Sequence, residues 1–467
     1  MSEGSAGGRP TLPESVVLAK FPYPYQAAAT VSSDTDEASY SRFDAIHALL
    51  CGRDVIRPGT ENWKTLGLTE KSRWYDAEAG GVRGLGLDFS DSFFLIGDDI
   101  TMGMYRFDPA AGGFHEDESD GHNAAQAIKG WLKHGDIEAF HAFHDYRRNQ
   151  VLPLLADLYA WCDREGVAKP KVWINHSLAV CPTGLCPRRF RASLAVAIFR
   201  RTARWLVGPL FGRKRMPIRH AWAWYWGATP GTPYYVNDVL ATNGLRYVWL
   251  NLGPEKDTFV NRIALPERTW NGRQSILDTV TMDDGVRYFR FARCYGGTRA
   301  MPDGVVGLRD GENVLDASAV FTRENLDRLC AEEGTCILCT HWTAVPSFPI
   351  QDETIGRFRL LREYRDGGRI WVTTLARLLE WTRFRTFLRH ESRLNGDRLD
   401  IDIQATDDPV LGSQVVSGDQ CEGLVFRIPP SVREVRIGIA GRPLAPDAVH
   451  RDAGRCWIRA SGANGRG

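Results

Sequence analysis

The chain has no uninterrupted run of about 18 apolar residues, so no transmembrane helix is expected in its 467 residues. Its first residues, MSEGSAGGRPTLPES, have no apolar core of the kind a secretory signal needs. An excess of charge of either sign is also missing. Lys and Arg number 58 and Asp and Glu 57, a formal net charge of +1, so bulk electrostatics point to neither nucleic acid nor an acidic polymer. The ten cysteines lack the regular spacing of a disulfide framework. Cys336 and Cys339 form a CxxC, but inside the apolar run TCILCT, where a strand would point them to opposite faces as buried thiols. Cys181 and Cys186 flank a loop without a second pair, which argues against a zinc knuckle. The plain expectation from these absences is a reduced, cytoplasmic protein.

What is present is ordinary globular composition, 43% hydrophobic and 25% charged, in a chain long enough for two or three domains. Residues 1–20 are expected to be disordered. Between residues 21 and 383, apolar strand-like runs alternate with helical periodicity. A strand is expected over QAAATVSS (26–33), and a helix over 37–50 that Asp36 could cap. VRGLGLDFSDSFFL (82–95) suggests a strand region or hairpin, and 110–122 a polar loop. Helices are expected over 124–134 and 149–165, the latter with Val151, Leu154, Leu155, Leu158, Tyr159 and Cys162 at helical spacing. Further strands fall over 137–140, 171–175, 245–250, 286–293 and 336–340. This alternation argues for an α/β fold, a mostly parallel, distorted (β/α)7–8 barrel. After residue 383 the pattern becomes short alternating segments, LDIDIQ, LVFRI, VREVRIGI and RCWIRA. They suggest a C-terminal antiparallel β-sandwich over 384–461.

Several expected strand ends carry Asp or His. These are Asp34 and Asp36 after the first strand, His141 with His144 and Asp145 after 137–140, His176 after KVWIN, and His341 after the last buried strand. In a parallel barrel such ends converge on one face, where the chemistry sits. His141 and Asp145 are four apart and would point the same way if a helix began there. The plainer alternatives are a capping acid with surface histidines, and a half-buried structural histidine at 176. Trp222, Trp224 and Trp226 share one face of the expected strand HAWAWYW and could form a stacking wall for a sugar, or simply core. Arg290 could be functional or a solvent-facing strand residue. Residues 188–215 interleave nine basic residues with large apolar ones and contain no acid. That pattern fits a basic amphipathic segment on an anionic membrane surface, or an insertion with its arginines in solvent.

The ordered set resembles the polysaccharide deacetylases, the NodB-homology branch of the glycoside hydrolase/deacetylase barrel superfamily. Ser33-Asp34-Thr35-Asp36 is similar to that family's first motif, Thr-Phe-Asp-Asp. His141-Ala142-Phe143-His144-Asp145 is similar to its His-[Ser/Thr]-x-x-[His/Asp], and Leu338-Cys339-Thr340-His341 to its Leu-x-x-His. The resemblance covers residues 20–383. It departs from the family in the residue between the two carboxylates and in Ala142. The family's middle arginine motif has only Arg290 or Arg293 as candidates. The phrases GLGLDFSDSFFL, DIEAFHAFHD and KVWINHS also look like a branch of the superfamily found in bacterial polysaccharide gene sets.

The resemblance implies a divalent metal, zinc first with cobalt, nickel or manganese as alternatives, held by Asp36, His141 and Asp145, with His144 as substitute. It implies Asp34 as general base and His341 as general acid, with His176, Trp224 and Arg290 toward the substrate. The implied reaction removes N-acetyl groups from a bacterial polysaccharide or lipid-linked glycan, on a carbohydrate substrate and not nucleic acid. Residues 188–215 would then give peripheral contact with the inner face of the membrane. Two other classes compete: a metal-free glycoside hydrolase pairing Asp34 with Glu138 or Asp145, and a non-catalytic glycan-binding barrel.

Overall fold

The computed structural model describes residues 16–35, 38–98, 101–118, 123–143, 146–175, 183–187, 226–250, 263–295, 318, 320–343, 350, 352–452 and 454–459. Residues 188–215, the aromatic run with Trp222 and Trp224, and Asp36, His144, Asp145 and His176 lie outside them. The chain divides into two compact units, residues 26–383 and residues 1–25 with 384–467.

The larger unit is mixed α/β. Its first strand, β1 (Ala27–Ser33), is buried at all seven positions. Small residues line its start, Ala27, Ala28 and Ala29, so neighbouring backbones can approach both faces. β1 pairs in parallel with β11 (Thr335–Thr340) and β12 (Ile370–Val372), and β11 pairs in parallel with the two-residue β10 (Cys294–Tyr295). A second sheet holds eight strands: β2 (Asp91–Ile96), β3 (Gly103–Asp108), β4 (Gly113–Glu116), β5 (Ile137–His141), β6 (Val172–Ile174), β7 (Tyr247–Trp249), β8 (Asp278–Thr281) and β9 (Arg287–Arg290). Their spatial order is β8-β9-β7-β6-β5-β2-β3-β4. The six inner strands are parallel, and the outermost on each side, β8 and β4, pairs antiparallel. The two sheets meet where the Ser92 hydroxyl on β2 donates to the Ser33 carbonyl at the end of β1, at 3.4 Å.

The helices follow from the apolar spacing. α1 (Tyr40–Leu50) starts later than expected, with Ser39 and not Asp36 at the N-cap position. α2 (Ala124–His134) is capped by the Asn123 side chain, which accepts from the Gln126 N–H. It stops at Gly135, whose φ of 83° favours glycine, and the chain then turns into β5. In α3 (Arg148–Glu165) the six apolar residues named from the sequence are the six buried ones. Each Leu or Val so buried contributes roughly 1.5–3 kcal/mol. α4 (Arg323–Ala331), α5 (Asp352–Asp366) and α6 (Leu375–Phe387) separate the last strands.

Several local expectations change. Residues 82–95 are not a hairpin: Val82–Arg83 pairs with Val55–Ile56, while β2 joins the large sheet. The loop expected over 110–122 contains β4, which carries His115 outward. Residues 17 and 18, expected to be disordered, form a strand paired with Phe426 and Arg427.

In the smaller unit, Val17–Leu18, Val425–Arg427, Arg455–Ile458 and Val449–Asp452 make one antiparallel sheet. A second sheet is built on Arg398–Asp408. That strand pairs antiparallel with Leu388–Asn395 and Gly412–Val415, but in parallel with Glu434–Ile439. The unit is therefore not purely antiparallel. Alternation alone does not distinguish strand direction, because both kinds of pairing use the same period of two.

Glu138 on β5 has a structural task. Its carboxylate accepts from the Ser90 hydroxyl and from the Ala376 backbone N–H in the first turn of α6. Burial pushes its pKa up, with the Ser90 and Ala376 hydrogen bonds opposing. A carboxylate there satisfies an otherwise open donor at a helix N-terminus. Replacing Glu138 by Ala is expected to lower stability by about 1–2 kcal/mol, as for loss of a cap, read from urea unfolding. An unchanged midpoint would exclude the capping role.

Candidate functional site

The parallel register places the site residues. Ser33 on β1 lies opposite Thr340 on β11, so the next residues, Asp34 and His341, emerge side by side. The Asp34 N–H donates to the Thr340 carbonyl at 2.9 Å. On the other sheet, Phe94 is in register with His141. Their rings stack at 4.4 Å with 24° between planes, which fixes the imidazole orientation.

The centre is Asp34, 5% exposed, against Arg293, which is fully buried. Arg293 Nη1 donates to Oδ1 at 2.7 Å and Nη2 to Oδ2 at 3.0 Å, a two-pronged pair. Nη1 also reaches the Ser32 hydroxyl at 3.3 Å. The guanidinium carbon lies 3.7 Å from the centre of the Trp249 ring, so a cation–π contact covers it on one side. Arg293 holds this position because it follows β9 by three residues and immediately precedes β10, which pairs with β11.

Two imidazoles approach the same carboxylate oxygen. His141 Nε2 is 3.7 Å and His341 Nε2 3.9 Å from Asp34 Oδ2, ion-pair distances longer than a hydrogen bond. Cys339 Sγ, at 4.0 Å, faces that oxygen too. His141 is buried, whereas the His341 side chain is 15% exposed, so the group opens outward at His341. Burial alone would raise the Asp34 pKa. The Arg293 charge and the nearby His141 imidazole outweigh it and hold the carboxyl well below its usual range.

Behind His341 lies a second polar cluster. The Trp342 indole N–H donates to Asp91 Oδ2 at 2.9 Å, and His47 Nε2 on α1 lies 3.1 Å from the same oxygen. Burial opposes charge on His47, but Cys51 and Asp91 more than compensate and hold its pKa well above normal. Burial also raises Asp91, against the pull of His47. The indole and the imidazole thus converge on one carboxylate oxygen, while Asp91 Oδ1 and His47 Nδ1 are buried without a hydrogen-bond partner among the described residues. A third hub is Asn175, at the end of β6. It accepts from the Trp173 indole at 2.6 Å and the Leu185 N–H at 2.9 Å, and donates to the Leu185 and Leu250 carbonyls at 2.7 and 3.2 Å. It ties together the backbone that follows β6 and β7.

Of the residues singled out from the sequence, Asp34, His141 and His341 come together. Asp36, His144, Asp145, His176 and Trp224 lie outside the described residues. Arg290 is elsewhere: on β9 it pairs with Asp278 at 2.7 Å, and Arg293 is the arginine that meets Asp34. The i, i+4 argument for His141 and Asp145 does not apply, because His141 ends a strand and the next helix begins at Arg148. Trp249, Phe94 and the Asp91 cluster were not marked in the sequence. Trp249 and Phe94 are apolar positions in strands, where the residue type gives no sign of contact with a charged site. Among the described residues, no three His, Cys, Asp or Glu side chains form a metal-binding group. No helix among them is long and apolar enough to cross a membrane.

Compared with models of known protein families and with curated proteins, the chain matches none.

Two outcomes follow from this geometry. Arg293→Met leaves Asp34 buried without its counter-charge and is expected to cost about 3–5 kcal/mol, read from urea unfolding. A loss within the ordinary surface range, about 0.5 kcal/mol, would contradict the pairing. The raised His47 and Asp91 pKa values mean that the folded state binds protons more tightly than the unfolded chain. The stability from His47 is full below about pH 6.5 and falls as pH rises through its raised folded value. Urea midpoints measured from pH 6 to 9 should decline, and His47→Gln should flatten that decline. An identical slope in the variant would contradict the account.

Proposed function

We propose that the protein is a metal-dependent hydrolase of the polysaccharide deacetylase type, removing N-acetyl groups from a bacterial polysaccharide or lipid-linked glycan. The observation that carries this reading is the buried Asp34–Arg293 pair with the His141 and His341 nitrogens directed at one carboxylate oxygen. On this reading the two parallel sheets are the arcs of one distorted (β/α) barrel, with the site at the C-terminal strand ends. The work would be cytoplasmic, with residues 188–215 at the inner membrane face.

The donor set suits a borderline divalent ion such as zinc, with cobalt, nickel or manganese as alternatives: imidazole from His141 and carboxylates from Asp36 and Asp145, with His144 as substitute. His141, the described member of that set, is buried and fixed by Phe94, as a ligand requires. Bound there, such an ion supplies a lowered water pKa and a polarised amide carbonyl. Asp34 does not serve as a ligand in this assignment, because both its oxygens already accept from the guanidinium. It takes the proton of the attacking water at Oδ2, the oxygen that faces the two imidazoles. A carboxylate held by a guanidinium is a weak base, so its task requires a water that is already acidified. His341, the half-open imidazole, gives a proton from Nε2 to the departing amine. The backbone around Asn175 and the fixed Trp249 keep these groups in place without touching the reacting atoms.

The competing glycoside hydrolase is less well supported. Glu138, one of its two candidate partners for Asp34, is committed to the helix α6 N-terminus, and Arg293 spans both oxygens of Asp34 itself. The test is acetate release from a panel of N-acetylated oligosaccharides by the full chain with added zinc, cobalt, nickel or manganese. His341→Gln is expected to lower kcat by about 10²–10⁴-fold with the fold intact, and Asp34→Asn to lower it as far while also destabilising the protein, because it strands the Arg293 charge. Reducing-end release without acetate would overturn the reading in favour of glycosidic cleavage. No turnover of any glycan would leave the binding barrel as the surviving alternative.

A further inference from the structure

We propose that a pocket of about 450 Å³ between α5 and the loop bearing Trp74 binds a phosphoryl group, independently of the site at Asp34. Its lining includes Arg73, Trp74, Arg323, Arg359, Glu363 and Asp366, with Arg362 on the next turn of α5.

The loop is anchored by the Trp74 indole N–H, which donates to the Asp352 carbonyl at the start of α5, at 3.3 Å. The ring lies beside Gly356, one turn further on, where a Cβ would meet Trp74 Cζ2 at 3.4 Å, an ordinary contact. Two guanidinium groups then pack on the ring, Arg73 at 4.5 Å and Arg359 at 4.3 Å from its centre. Trp74 thus gathers two like charges at one pocket.

The acids in the lining do not neutralise them. Glu363 pairs with Arg323 at 3.7 Å, and Asp366 with Arg362 at 3.2 Å and Arg365 at 2.7 Å. Arg73 and Arg359 have no carboxylate within ion-pair reach among the described residues, and the buried Arg359 Nε has no hydrogen-bond partner there. Burial, then the Arg362 and Arg73 charges, weaken the hold of Arg359 on its proton. Arginine nevertheless stays charged in proteins, so the pocket keeps an uncompensated positive field. A tetrahedral oxyanion fits this arrangement, because the guanidinium fork matches phosphate oxygens in pairs. The volume exceeds that of phosphate alone and lies in the range of small-molecule sites, so a phosphorylated sugar would also be accommodated.

The experiment is isothermal titration calorimetry of the full chain with inorganic phosphate and with a hexose 1-phosphate, at low and high salt. Binding that weakens with salt, and weakens about tenfold or more in Arg73→Gln and in Arg359→Gln, is expected. Arg73 is exposed, so its replacement tests the pocket without endangering the fold. Tighter binding of the hexose phosphate would identify a sugar phosphate as the source, and equal binding free phosphate. No binding of either probe, or binding unchanged in both variants, would overturn the proposal. Neither outcome bears on acetate release, so this result and the hydrolase reading stand or fall separately.

Discussion

The Arg293–Asp34 pair is the constraint around which the larger unit is arranged. A buried ion pair stabilises only where hydrogen bonds and packing offset the loss of water, and here both do. Two parallel hydrogen bonds join the charges, Ser32 takes a further guanidinium donor, and Trp249 covers the guanidinium with its ring. These four residues come from three places in the chain: Ser32 and Asp34 at the end of β1, Arg293 between β9 and β10, and Trp249 at the end of β7. The pair therefore depends on the relative position of both sheets. Were either sheet to shift by one residue, the carboxylate or the guanidinium would be left alone in a low-dielectric interior.

The same constraint sets up the chemistry. A carboxylate fixed on both oxygens cannot rotate away, so the nitrogens of His141 and His341 keep a common target. The Asp91 cluster extends this order outward. It holds Trp342, and with it the backbone that carries His341, through a carboxylate shared with His47 on α1. Asn175 does the equivalent for the backbone after β6 and β7, with four hydrogen bonds that leave the side chain satisfied. Asp34, His141 and His341 sit at strand ends while buried polar hubs hold the connections.

Much of this was legible in the residues. The apolar spacing of α3 named its buried face, and the runs ending at Ser33, His141, Asn175 and Thr340 are strands or strand ends. Asp34, His141 and His341 were visible because several expected strand ends carry Asp or His, although each one alone has a plainer explanation. Arg290 and Arg293 could not be separated in the same way. Both follow an apolar residue in VRYFRFAR, and only the sheet order decides that Arg290 meets Asp278 while Arg293 meets Asp34. Asp91 and Glu138 were hidden for the opposite reason. Their partners, Trp342 and Ala376, are more than 200 residues away, and no local pattern records contacts of that separation. The parallel pair in the smaller unit was likewise invisible, since alternation carries no direction.

The central claim is that the group around Asp34 is a metallohydrolase site, and metal analysis of the purified full chain tests it most directly. The account predicts about one zinc, cobalt, nickel or manganese ion per chain, lost in His141→Ala and in Asp36→Ala while circular dichroism shows the fold retained. No ion in any preparation, and no uptake when divalent ions are added back, would contradict it.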